Sequence, residues 1–139
     1  MLVAVKGEDV DKFMLALAFK LRPCLLIDCG NAADPYSIQI EEEWLDEVYV
    51  INAEAIYRFR DALKKIPQIL NELNLKILVI TSISILFSYD DKLEDKHIIT
   101  DCWKLLKNLS KDFDIYAVAD EYSKEFTDKT WDTLLQANA

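Results

Sequence analysis

Leu25-Leu26-Ile27-Asp28-Cys29-Gly30-Asn31-Ala32-Ala33-Asp34-Pro35 is the stretch whose reading decides the fold. An aliphatic run, a lone carboxylate, a glycine and a polar segment closed by proline read as a buried strand running into a turn. Asp28 then stands near the carboxyl end of that strand, where open α/β sheets hold their ligands. The chain has only two glycines, Gly7 and Gly30, and both follow predicted strands. A phosphate cradle needs several glycines so that backbone N–H groups can approach the anion, and neither loop has enough of them.

Working outward, strand and helix alternate almost throughout, which predicts an α/β domain with a largely parallel sheet. Leu2 to Lys6 reads as the first strand, and Asp9 is placed to cap a helix running to about Leu21. Val10, Phe13, Met14, Leu17 and Leu21 fall on one face of that helix. Arg22 before Pro23 ends it. An acidic turn is expected over Glu41 to Asp46, and a third strand over Val48 to Asn52. A long helix follows, with Ile56, Phe59, Leu63, Ile66 and Leu70 on its buried side. Pro67 should kink it or start a second helical segment. Lys76 to Thr81 is the fourth strand. After a polar loop around Tyr89-Asp90-Asp91, a helix carries Ile98, Ile99, Cys102, Trp103, Leu105, Leu106 and Leu109. Asp114 to Ala119 is the fifth strand. The tail from Ser123 to Ala139 reads either as a docked helix or as an edge strand.

The chain of 139 residues is the size of one domain, and 1–139 is read as a single one. Hydrophobic residues make up 52% and charged residues 29%, a globular rather than disordered balance. The apolar run from Ile77 to Phe87 is too short to cross a bilayer as a helix. No basic region followed by an apolar stretch opens the chain, so a cytoplasmic location is expected. The net charge of −9 argues against direct nucleic-acid binding and favours a partner with a basic surface. Three cysteines, Cys24, Cys29 and Cys102, cannot all pair, and they read as small buried apolar residues.

The order of elements resembles the RecA/RadA recombinase and KaiC-like ATPase superfamily. Gly7-Glu8-Asp9-Val10-Asp11-Lys12-Phe13 occupies the place of its phosphate-binding loop, and Leu25 to Pro35 that of its second core strand. Asp46 to Ile51 resembles its third strand, Lys76 to Phe87 its Walker B strand, and Phe113 to Tyr122 the strand after it. The resemblance implies a RecA-like core with P-loop NTPase topology: a mostly parallel five-stranded sheet with helices on both faces, in the order 5-1-4-3-2, the fourth strand lying between the first and third. A receiver-type signalling domain would instead show 2-1-3-4-5.

The departures from the family matter as much. A working loop reads GxxxxGK[ST], whereas this one is a residue short before Lys12, lacks the second glycine and has Phe13 in place of the hydroxyl. Glu8, Asp9 and Asp11 would repel a triphosphate. Thr81 replaces the Walker B acid, and Gly30 stands where the family has its catalytic Glu. The resemblance therefore implies a degenerate member that needs no cofactor and catalyses nothing. Its expected role is to bind a protein partner or a second copy of itself, as an accessory in recombination or repair. A pseudo-receiver or KaiC-like signalling module is the alternative. A metal-dependent phosphoryl-transfer or nuclease enzyme is another, with Asp28, Asp120 and Glu121 as candidate metal ligands at strand ends.

Other groups take bland readings. Phe13 to Ala16 and Phe59 to Ala62 match the FxxA pattern of recombinase polymerisation, but their spacing is that of a buried helix face. Arg58, Arg60, Lys64 and Lys65 form a dense basic cluster that reads as a solvated helix face. His97 lacks a nucleophile signature beside it. Trp131, Leu134 and Leu135 in the tail are the candidate partner-binding residues.

Overall fold

The structure, a computed structural model, describes residues 1–31, 34, 38, 40–86 and 92–134, with backbone alone over 92–95. Its strands are β1 (Leu2–Lys6), β2 (Cys24–Cys29), β3 (Val48–Ala53), β4 (Ile77–Ile80), β5 (Asp114–Val118) and β6 (Lys129–Asp132). Its α-helices are α1 (Val10–Lys20), α2 (Ile56–Glu72) and α3 (Lys92–Leu109). Short 3₁₀ turns cover Glu42–Glu47, Ile83–Leu86 and Ser123–Glu125.

The strands form one sheet in the order β3-β2-β4-β5-β1-β6, with every pair parallel. Six strands replace the expected five, because part of the ambiguous tail pairs with β1, Val5 opposite Trp131. The fourth strand in chain order lies between β2 and β5, not between the first and third. The reason is β3. Among the described residues it pairs with β2 alone, Cys24 opposite Val48, and forms an outer edge instead of a core position. By the expected numbering the row reads 3-2-4-5-1, so the order 5-1-4-3-2 is not met; it returns only when β3 is left out and the other strands are renumbered. The receiver order does not occur.

Alternation along the strands divides the core in two, because successive side chains leave opposite faces of a sheet. Leu2, Leu25, Ile27, Leu78, Ile80 and Ile115 turn to the face covered by α2 and α3, which add Phe59, Leu63, Leu70, Trp103 and Leu106. Val3, Val5, Leu26, Val79 and Tyr116 turn to the other face, under Met14, Leu15 and Ala18 of α1. Each large aliphatic or aromatic side chain so buried contributes roughly 1.5–3 kcal/mol.

Two local expectations change. Helix α2 runs unbroken through Pro67. Its buried stripe of Ile56, Phe59, Leu63, Ile66 and Leu70 continues past the proline, so packing on the sheet holds the axis despite the missing N–H. Asp9 precedes α1 but makes no side-chain cap, because its backbone is left-handed (φ 49°). Among the described residues, no helix is long and apolar enough to cross a membrane.

Candidate functional site

The carboxyl ends of the strands carry the loops where a RecA-like sheet would hold a ligand. In this chain those loops are occupied by one another. Asp11, in the first turn of α1, accepts two hydrogen bonds at Oδ1, from the Ser82 N–H and the Ser82 hydroxyl, both at 2.9 Å. A carboxylate is thus fixed beside the helix start that a phosphate would need, and its charge opposes any incoming anion. The backbone donor at Ser82 is used up by the same bonds.

Gly7 is crowded from the other side. It adopts φ 134°, and a Cβ there would collide with the Thr133 hydroxyl. Thr133 follows β6, is buried, and donates to the Glu8 carbonyl at 3.4 Å. The end of β6 therefore closes over the loop that corresponds to a phosphate cradle. The sequence reading missed this group because Thr133 lies in the tail, whose structure was ambiguous.

Thr81, the first residue after β4, is fully buried. Its hydroxyl accepts the Cys29 N–H at 2.7 Å. β4 ends at Ile80, opposite Ile27, so Cys29 lies beyond the paired register, and the hydroxyl satisfies a backbone donor that would otherwise be orphaned. Gly30, the first residue after β2, is a turn residue with φ 66°. Its N–H bonds to the Ala53 carbonyl at 2.8 Å, and Ile85 rests against it, with Cγ2 3.1 Å from where a Cβ would stand. A carboxylate at Thr81 would also accept that N–H but would bury a charge, and a side chain at Gly30 would crowd Ile85 from a left-handed turn.

The candidate metal ligands are placed apart. Asp28 is 4% exposed and lines a cavity of about 250 Å³ with Leu15, Phe19, Asn31, Val50 and Asn52, on the α1 side of the sheet. Asp120 follows β5 and is engaged with the opposite layer, where Trp103 of α3 donates Nε1–H to its Oδ2 at 2.9 Å. The Tyr122 N–H donates to its Oδ1 at 2.8 Å. Burial raises the Asp120 pKa, and these bonds partly offset the rise. β4 separates β2 from β5, so the two carboxylates do not converge. Glu121 is exposed beside Asp120. Among the described residues, no three His, Cys, Asp or Glu side chains are grouped to hold a metal ion.

The remaining groups are placed as follows. Cys24, Cys29 and Cys102 are buried free thiols, each pushed up to about 12, chiefly by burial. His97 lies exposed on α3. Phe59 of the second FxxA segment is fully buried and Phe13 of the first is half-buried. Trp131 is half-buried in β6, its ring 5.3 Å from that of Tyr116. Leu134 is 69% exposed, and Leu135 lies outside the described residues.

Exposed apolar side chains gather instead at the β3 edge, which sequence periodicity did not distinguish from a core strand. Tyr49 is 42% and Val50 53% exposed, with Leu45 beside Val50 at the mouth of the cavity that holds Asp28. Among the described residues, β3 pairs on one side only, so its outer backbone groups are open to another strand. A scan against protein-family models finds no match to this chain, and a search of curated proteins finds none either.

Proposed function

We propose that this chain is a non-catalytic RecA-like interaction protein that acts by presenting a surface to a protein partner. The observation that carries the proposal is the closed strand-end crevice. Asp11 holds Ser82, and Thr133 packs on Gly7, where a nucleotide's phosphates would lie. A fold whose ligand crevice is sealed by its own side chains has its outer surface left for recognition. The β3 edge supplies such a surface, since an extended segment adding to a sheet edge gains main-chain hydrogen bonds and pockets for alternate side chains. The role implied by the resemblance, an accessory subunit in recombination or repair, is compatible with this reading. A metal-dependent enzyme is disfavoured by the separation of Asp28 from Asp120.

The test has two arms. Calorimetry with Mg-ATP is expected to give no binding heat, and a micromolar Kd overturns the non-catalytic reading. Affinity purification from the source cell, wild type beside Val50→Lys, is expected to retain a protein partner with the wild type and lose it with the variant. Recovery of no partner, or of the same partner with both, overturns the edge as the recognition surface.

A further inference from the structure

A second surface lies on the opposite layer, away from the strand-end crevice and the β3 edge. A groove of about 610 Å³ runs between α2 and α3. Arg60 and Lys64 of α2 line one side, one helical turn apart. Lys104, Lys107 and Lys111 line the other, from α3 and the turn after it, at spacings that keep them on one face. Among the described residues Asp101 is the only carboxylate in the lining, and Leu105 and Phe126 supply apolar surface. Five of the chain's sixteen Lys and Arg residues meet here, on a molecule of net charge −9.

Among the described residues these cations form no ion pair, though the Arg60 guanidinium lies 5.6 Å over the Tyr57 ring. Among the described residues, the ion pairs join the N-terminus to Asp114 and Arg22 to Glu47, so none involves the groove. Arg60 Nε is buried without a hydrogen-bond partner among the described residues. Lys107 is held across the floor, its Nζ donating to the Phe126 carbonyl at 3.2 Å. The charges that face an incoming ligand are those of the exposed Lys64, Lys104 and Lys111 in the lining.

We propose that this groove binds a short acidic peptide segment of a partner protein, one that carries an apolar side chain among its carboxylates. The carboxylates pair with Arg60, Lys64, Lys104 and Lys111, and the apolar side chain rests on Leu105 and Phe126. Size and charge favour this occupant over nucleic acid. A phosphate backbone carries its charge continuously, one per about 1.7 Å of duplex, and would extend from the groove onto an acidic surface. A short segment ends where the positive lining ends.

The experiment uses the isolated chain and a fluorescein-labelled peptide of sequence Glu-Glu-Asp-Leu-Glu-Asp, titrated by anisotropy at low and at physiological salt. Wild type is expected to bind, more weakly as salt rises. Lys104→Glu/Lys111→Glu is expected to raise the Kd at least about tenfold, because two attractive pairs become repulsive. Lys104→Gln/Lys111→Gln should give an intermediate loss, with circular dichroism showing that both variants keep the fold. Lys20→Glu, outside the groove, should bind as wild type does. Replacing the peptide's leucine by serine should weaken it several-fold. Equal binding by wild type and the charge-reversed variant, or no binding by wild type, overturns the proposal. So does a twelve-nucleotide oligo(dT) that binds more tightly than the peptide through the same lysines. Because the probe is defined and the protein isolated, failure here leaves the β3-edge and Mg-ATP results untouched.

Discussion

Gly7 and Gly30 are the chain's two glycines, and they have different reasons to be glycine. Gly30 combines a left-handed turn with Ile85 at close contact, but Ile85 is exposed and need give by only a few tenths of an ångström. Gly7 combines φ 134° with a buried Thr133 hydroxyl that has no room to retreat. Gly7→Ala should therefore cost more than Gly30→Ala. We expect about 1–3 kcal/mol for the first, from backbone strain and the clash, and roughly 1 kcal/mol for the second. Urea denaturation of both variants checks the order, and equal costs would mean that Thr133 does not seal the loop. The same residue scale explains why Thr81 and Gly30 were legible only as absences. Sequence alone says only that neither position carries an acid. Their hydrogen bonds and packing partners come from β2, β3 and the turn after β4, remote in sequence or set by chain reversal.

At the scale of elements, helix periodicity transferred well and strand position did not. The buried stripe of α2 is the one its spacing predicts, from Ile56 to Leu70. Pro67 was expected to interrupt it, yet local propensity yields to a continuous apolar stripe packed on the sheet and on α3. The cost of that proline remains, since the Leu63 carbonyl loses its helical donor. Pro67→Ala should restore the bond and stabilise the protein by about 1–2 kcal/mol, after allowance for the extra freedom of the unfolded chain. A rise in the urea midpoint at unchanged m checks it, and a destabilised variant would show that the backbone at Pro67 is not helical in solution. β3 is the complementary case. Its Val48-Tyr49-Val50-Ile51 run reads like a core strand, and only pairing reveals an edge. β6 was half-legible for the same reason, because four residues beside β1 leave little periodicity to read.

At the scale of the whole molecule, the two cores on either side of the sheet enclose all three cysteines. Cys24 and Cys29 lie on opposite faces of β2, and Cys102 packs beside Trp103 under α3. With each thiol pushed up to about 12 by burial, the reactive thiolate is scarce at neutral pH. Native protein should therefore resist a thiol-specific chromogenic reagent, and all three cysteines should react together once urea unfolds the sheet. Fast labelling of a single thiol in the native state would show that one layer opens independently of the other. The basic groove is also a property of this scale. The sequence shows Arg58, Arg60, Lys64 and Lys65 as a solvated cluster on one helix. Docking α2 beside α3 selects Arg60 and Lys64 and adds three lysines from more than thirty positions away.

Alternating strands and helices, the apolar faces of α1 and α2, the buried cysteines and the absence of a phosphate-loop pattern were all determined by the sequence alone. Each rests on local periodicity or on the chemistry of single residues, which neighbours along the chain suffice to express. The tertiary structure alone decided which strand is an edge, what fills the strand-end crevice and which cations share a groove. Those features depend on the meeting of distant segments: Thr133 against Gly7, Ser82 on Asp11, and Arg60 and Lys104 lining one groove from two helices. A parallel sheet makes such dependence unavoidable, because every neighbouring strand is reached by a crossover that carries the chain away before returning it.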